Sequence, residues 1–285
     1  MLEKLFLSFL ISTLGLTSTL TATIPTGPVK NPEFVAPVIQ ATSALVLDMS
    51  SQSILFEKNA HEKRQIGSIS KLMTAMVILD GHALDEVVNV QKNPHEIPGS
   101  KAGLFLNEKL HVGEALEALL IPSGNDAAVA LAMFDSVTEE EFVKKMNAKA
   151  DLLGLSQTRF DSSAGLDSAD GYSTAYDIMQ MAKAALQYDF IRQTVGTKEK
   201  EIVSISGLFK HTLKTTNELL GNESYKFKGI KTGTTPGSGQ SFVGLVELTN
   251  GVELITVILN STDRFQETKT MVEWASQAYD WNIQE

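Results

Sequence analysis

Gly67-Ser68-Ile69-Ser70-Lys71 runs directly into Leu72-Met73-Thr74-Ala75-Met76-Val77-Ile78-Leu79. Ile69, Leu72, Met73, Met76 and Leu79 recur three or four residues apart, the period of an amphipathic helix facing a core. Ser68 falls at the start of that helix, where backbone N–H groups lack partners. Lys71 lies one turn on, on the same face. At the edge of an apolar stripe, both groups face inward. A serine hydroxyl is a weak nucleophile until a base takes its proton. A lysine held away from water loses part of its preference for the charged form. A neutral amine one turn from a hydroxyl can therefore act as a general base. The same spacing also describes an N-cap serine followed by a solvated lysine, and these residues alone do not decide between the two.

Composition narrows the field. The 285 residues can bury a large core as one two-lobed domain or as two small ones. A formal charge of −10 argues against a protein that grips nucleic acid phosphates. With no cysteine, disulfides and thiolate chemistry are excluded. The five histidines (His61, His82, His95, His111 and His211) form no close ligand pair, which argues against a zinc hydrolase. No Gly-x-Ser-x-Gly elbow is present. The reading requires neither metal nor cofactor.

Along the chain, Met1 to about Ala22 reads as an export signal or an N-terminal anchor. It has Lys4, an apolar run from Leu5 to Leu16, and small residues after it. Residues 23–40 read as a linker, with four prolines between Thr23 and Pro37, and 41–285 as the working domain. Ser43–Asp48 and Ile54–Lys58 read as a strand hairpin turning at Met49–Gln52. Helices are expected over Val112–Leu120, Asp126–Phe134, Glu139–Leu153 and Thr174–Tyr188, with Thr174 as a cap for the last. Strands are expected over Ile202–Leu208, Gly229–Thr232, Ser241–Leu248 and Val252–Leu259, the last two joined by Asn250-Gly251. A helix from Arg264 through Trp274 closes the chain. Strands at both ends around a helical middle predict an α+β fold. Its antiparallel sheet joins the N-terminal hairpin to the C-terminal strands and packs against an inserted helical lobe.

Two further stretches bear on Ser68. Ser123-Gly124-Asn125 lies between two apolar helices, and Lys231-Thr232-Gly233-Thr234 ends a strand. The order Ser-x-x-Lys, Ser-x-Asn, Lys-Thr-Gly is the pattern of penicillin-binding proteins and class A β-lactamases, with Gly124 where Asp is more usual. Ala44–Asp48, Ser123–Ala128, Tyr172–Asp177, Thr216–Leu220 and Gly229–Thr234 extend the match. On these motifs the sequence resembles the low-molecular-mass penicillin-binding proteins of the D-alanyl-D-alanine carboxypeptidase type over most of Ala44–Trp274.

The resemblance implies a transpeptidase-like fold with its site where sheet and helical lobe meet. It implies an exported, periplasmic or outer-surface serine peptidase acting on peptidoglycan stem peptides ending in D-Ala-D-Ala, with β-lactams as covalent inhibitors. Ser68 would be the nucleophile and Lys71 its base. Ser123 would pass a proton to the leaving amine, and Asn125 would orient Lys71 and the substrate. Backbone N–H groups of Ser68 and Thr234 would hold the oxyanion. Lys231, Thr232, Gly233, Thr234 and Arg264 would bind substrate, Arg264 near its carboxylate, although a surface arginine at a helix start fits that position as well. Ala164 departs from the His that relatives carry before Gly-Leu. The β-rich domain and amphipathic anchor that often follow in relatives are not seen after the last helix, so membrane attachment is expected only through the N-terminus. The alternatives are a D,D-endopeptidase, a class A β-lactamase, or a penicillin-recognising sensor without turnover. The lactamase would need a glutamate after Ser-x-Asn, and Asp161–Ser173 contains none.

Overall fold

Residues 27–281 are described in the computed structural model, so the expected signal or anchor over 1–22 lies outside them. Among the described residues, no helix is long and apolar enough to cross a membrane. The chain opens with β1 (Val29–Lys30), β2 (Ser43–Asp48) and β3 (Ile54–Lys58). A 3-10 turn at Gly67–Ser70 leads into α1 (Lys71–Gly81). The helical lobe follows. It holds β4 (Val87–Asn89), β5 (Lys109–His111), α2 (Val112–Leu120), α3 (Asn125–Asp135), α4 (Glu139–Leu152), α5 (Ala175–Ala185) and α6 (Asp189–Thr194). The last third supplies β6 (Glu199–Val203), β7 (Lys210–Lys214), β8 (Lys226–Thr235), β9 (Gly239–Glu247), β10 (Glu253–Ser261), α7 (Arg264–Ala278) and β11 (Tyr279–Asp280).

The main sheet runs β3-β2-β10-β9-β8, antiparallel throughout, so both ends of the sequence build it, as expected. It is buried on both faces. Along β2, Leu45 and Leu47 join the core shared with the helical lobe, while Ala44 and Val46 join a second core under α7. That explains why β2 reads as an unbroken apolar run rather than an alternating one. The Asn250-Gly251 turn closes as expected. Leu248 O accepts from Gly251 N at 2.9 Å, and Gly251 takes a φ of +84° that glycine adopts without strain. Thr174 caps α5, its Oγ1 accepting from Asp177 N.

Three expectations are corrected. First, α1 is no half-exposed helix. Lys71 through Ile78 are all buried, because α2, α3, α4 and α5 enclose it. Thr74 meets this burial by donating to Ser163 O at 2.7 Å. Second, the strand read over Ile202–Leu208 ends at Val203, where the chain turns and returns as β7. Ile205 and Leu208 suggested a continuing strand, but both are exposed at the tip. The short α6 was not foreseen. Third, the stretch read as a linker is held to the domain from Val29 onward. β1 pairs with β11, Lys58 Nζ donates to Ile39 O, and the buried carboxylate of Glu267 on α7 accepts from Gln40 N, Ala41 N and Ser261 Oγ.

Glu267 concentrates that attachment in one side chain. Glu267→Ala leaves these donors unpaired and should cost about 2–4 kcal/mol. Urea unfolding should show this loss, and the reactivity of Ser68 at 25 °C should be retained. An unchanged midpoint would mean that water replaces the carboxylate without loss.

Candidate active site

Lys71 is the first residue of α1 and is fully buried. Its Nζ lies 2.6 Å from Ser68 Oγ, 2.7 Å from Asn125 Oδ1 and 2.8 Å from the main-chain oxygen of Ala164. The last two oxygens can only accept. A neutral amine would give its two N–H groups to them and leave its lone pair toward the Ser68 hydroxyl. Burial drives the Lys71 pKa well below its ordinary value, the nearby charge of Lys231 lowers it further, and Asp126 opposes both. Because Ala164 contributes only its carbonyl, the side chain that departs from the family pattern takes no part in this contact. Gly165 beside it (φ +72°) has no room for a side chain, since a Cβ would lie 2.0 Å from Gly67 O.

Asn125 opens α3, and its amide is fixed from both ends. Nδ2 donates to Pro98 O at 2.6 Å, which turns Oδ1 toward Lys71, and the backbone N donates to Ser100 O. Ser123 before it takes a φ of +63°, costly for a non-glycine residue by roughly 1–2 kcal/mol. At Gly124 a Cβ would come within 2.7 Å of both Ala118 O and Asp126 Oδ1, so this turn takes glycine without a clash. Asp126 accepts from Ala102 N, Gly103 N and Leu104 N and holds the loop that positions Asn125. The motif reading did not single out Asp126. Its signal was a lone acid at the head of an otherwise apolar helix.

Strand β8 forms the opposite wall. Lys231 Nζ lies 2.7 Å from Ser123 Oγ and 3.2 Å from Thr232 O, almost without exposure. Burial, and then the charge of Arg264, lower its pKa to about 7. Thr232 Oγ1 meets Thr216 Oγ1 at 2.5 Å, which adds a residue the site assignment had left out. Gly233 packs so closely on the 3-10 turn that a Cβ would lie 2.5 Å from Ile66 O. A Cβ at Gly67 would lie 3.3 Å from Thr234 N and one at Gly233 3.4 Å from Ser68 N, so the segments carrying these two N–H groups lie against each other. Arg264 is not a free surface residue. Its Nη1 donates to Gly233 O at 3.0 Å and to Thr234 Oγ1.

Ser68, Lys71, Ser123, Asn125, Lys231, Thr232, Gly233, Thr234 and Arg264 therefore converge, from four separate parts of the chain, on the junction between sheet and helical lobe. The arrangement provides a hydroxyl nucleophile, an amine able to be neutral at moderate pH, and a second hydroxyl held by a cation. Those are the parts of an acyl-transfer site. A surface hollow of about 490 Å³, lined by residues including Leu84, His111, Glu117, Lys200 and Val203, contains none of them. Among the described residues, no group of His, Asp and Glu is placed to hold a metal ion.

Comparison with known proteins gives a consistent picture. The sequence pattern of the D-alanyl-D-alanine carboxypeptidase family matches residues 30–263. A D-alanyl-D-alanine carboxypeptidase of Bacillus subtilis is 34% identical over 254 residues, covering 85% of this chain and 63% of the relative. A D-alanyl-D-alanine endopeptidase of Escherichia coli is 34% identical over 210 residues, covering 73% of this chain and 67% of the relative. The crystal structure of the Streptomyces K15 DD-transpeptidase superposes with a TM-score of 0.79 at 30% identity, covering 85% of this chain and 99% of that one. The chain spans less than two thirds of the first curated relatives it matches, 63% in each of two carboxypeptidases.

With Ser68 as nucleophile and Lys71 as its base, the two lysines would set opposite pH limbs. Reaction would need Lys71 neutral, so its rate should rise as pH increases through the lowered Lys71 pKa. Binding of an anionic acyl donor by Lys231 would need that lysine charged, so it should fall as pH passes about 7. Arg264→Ala removes a positive neighbour and should move the alkaline limb upward by roughly half a unit to one unit. Rates of Ser68 acylation against pH would show this. A limb that stays in place or moves down removes Lys231 from that role.

Proposed function

Because the chain belongs to the D-alanyl-D-alanine carboxypeptidase family, we propose that it is a serine-type carboxypeptidase that removes the terminal D-alanine from peptidoglycan stem peptides. The observation that carries this reading is Lys71 Nζ, 2.6 Å from Ser68 Oγ with its other two partners acceptor-only. Lys71 takes the Ser68 proton as Oγ attacks the carbonyl between the two D-alanines. The N–H groups of Ser68 and Thr234 hold the oxyanion. The C–N bond then breaks. Ser123 delivers a proton to the departing amine and is reprotonated by the proton Lys71 took from Ser68, which leaves Lys71 neutral again, while Lys231 keeps the Ser123 hydroxyl polarised. A water molecule then attacks the ester as Lys71 takes one of its protons; the bond from Ser68 Oγ to the acyl carbon breaks, and Lys71 returns that proton to Oγ. No step calls for a metal or cofactor. The substrate lies outside the cytoplasmic membrane, so the protein is exported, with residues 1–22 serving as signal or anchor.

A β-lactam presents its amide carbonyl to the same nucleophile and would leave a stable ester on Ser68. The lactamase alternative is disfavoured by the loop that approaches Lys71 over 161–173. What it brings to Lys71 is the Ala164 carbonyl, which cannot activate water as a carboxylate does. Endopeptidase action differs only on the leaving side of the scissile bond, where a cross-linked peptide replaces a free D-alanine. Arg264, at the start of α7 and against the end of β8, favours a free terminal carboxylate, which a guanidinium can grip through two parallel hydrogen bonds.

Two measurements test the proposal. The purified chain should release D-alanine from a peptide ending in D-Ala-D-Ala, and penicillin should add a single adduct that is absent in Ser68→Ala. Adduct without turnover would make the protein a sensor, and an adduct elsewhere would sink the assignment. Arg264→Ala should lower peptide turnover far more than acylation by a penicillin ester, whose carboxylate is masked. Equal losses would show structural damage instead.

A further inference from the structure

Outside the cleft, the hairpin β6–β7 and the loop before β5 share an exposed apolar tip. Phe105 and Phe209 stack with ring centroids 4.5 Å apart, and Ile205 N donates to Lys109 O at 2.9 Å, which joins the tip to the loop. Beside this stack Leu106, Ile205 and Leu208 stand open to solvent, Leu208 at 78% exposure. These side chains fill no core. The inward face of the hairpin is occupied by Ile202, His211 and Leu213. Contiguous exposed apolar side chains of this kind mark a contact surface.

On the two segments that form the tip the exposed charges are lysines, while the exposed Glu199 and Glu201 stand at the base of the hairpin. The chain carries 34 acidic against 24 basic residues, yet segments 101–107 and 202–212 contain no acid. Lys101, Lys109 and Lys210 are exposed there. The carboxylate of Glu108, beside Phe105, is buried, with Oε1 against His211 Nε2 at 2.7 Å and Oε2 accepting from Phe105 N. A tip of five apolar side chains (Phe105, Leu106, Ile205, Leu208 and Phe209) is too small for a stable protein interface, which takes about 20–30 residues a side. It suffices for a bilayer surface, where a few inserted side chains act together with lysines near anionic headgroups.

We propose that the β6–β7 tip, with Phe105 and Leu106, docks on an anionic phospholipid bilayer. Leu208 and Ile205 enter the interface while Lys109 and Lys210 meet the headgroups. This contact is separate from any anchor in the first 22 residues.

The chain has no cysteine, so Leu208→Cys in the full chain can carry a single environment-sensitive fluorophore such as NBD. With phosphatidylcholine vesicles containing phosphatidylglycerol, emission from position 208 should shift to the blue and be quenched by shallow nitroxide lipids. The same label at Val137, equally exposed but outside the patch, should not respond. Adding Lys109→Glu and Lys210→Glu should raise the lipid needed for half the shift by at least roughly 30-fold. The thermal midpoint of each labelled protein shows that it is folded. A silent label at 208 overturns the proposal even if the chain sediments with vesicles through another segment. So does an equal response to phosphatidylcholine alone, or a shift that grows with protein concentration without lipid, which would make a second copy the occupant.

Discussion

Two ammonium groups in one dry cleft set the terms for the rest of the molecule. Lys71 and Lys231 are both buried, each lowered in pKa first by loss of water, and Lys231 pushes Lys71 down further. A charge on Lys231 makes Lys71 harder to protonate, and Arg264 does the same to Lys231. Both folded pKa values lie below the ordinary lysine value of 10.5, so the unfolded chain binds more protons between about 7 and 10.5. Stability therefore rises with pH across that window and is lowest, on this account, where the site is most charged. The fold supports this cost with close packing. Gly67, Gly124, Gly165 and Gly233 let main chains approach where a side chain would collide, and Ser123 holds an unfavourable φ between two helices.

How much of this was legible depends on the range over which each feature is written. α2 reads to the residue, since its apolar run stops before Pro122. β2 and β3 read equally well from their apolar runs. The tip at 204–209 misled because period and hydrophobicity describe apolar side chains without saying whether anything covers them. α1 misled in the other direction, because an apolar stripe cannot show how many helices will surround it.

The site divides in the same way. Ser68 and Lys71 sit three residues apart, and local helical geometry links them. Ser123 and Lys231 are 108 residues apart, and only the ordered set of motifs in a known family joined them. Pro98 and Ala164 act through carbonyl oxygens, which every residue has, so no motif could mark them. Asp126 works one step further away, holding the loop that holds Asn125.

The pairing of β2 with β10 also bears on how such a chain is made. Leu45 lies opposite Val257, so the inner edge of β2 finds its neighbour only after some 212 further residues (257 − 45) have been made. At a synthesis rate of about 5–20 residues per second this takes on the order of 10–40 s. Until then the β2–β3 hairpin is apolar on both faces and has no sheet to join. The centre of the sheet thus stays open while the second half is being built, and strands from the two ends of the chain close it last.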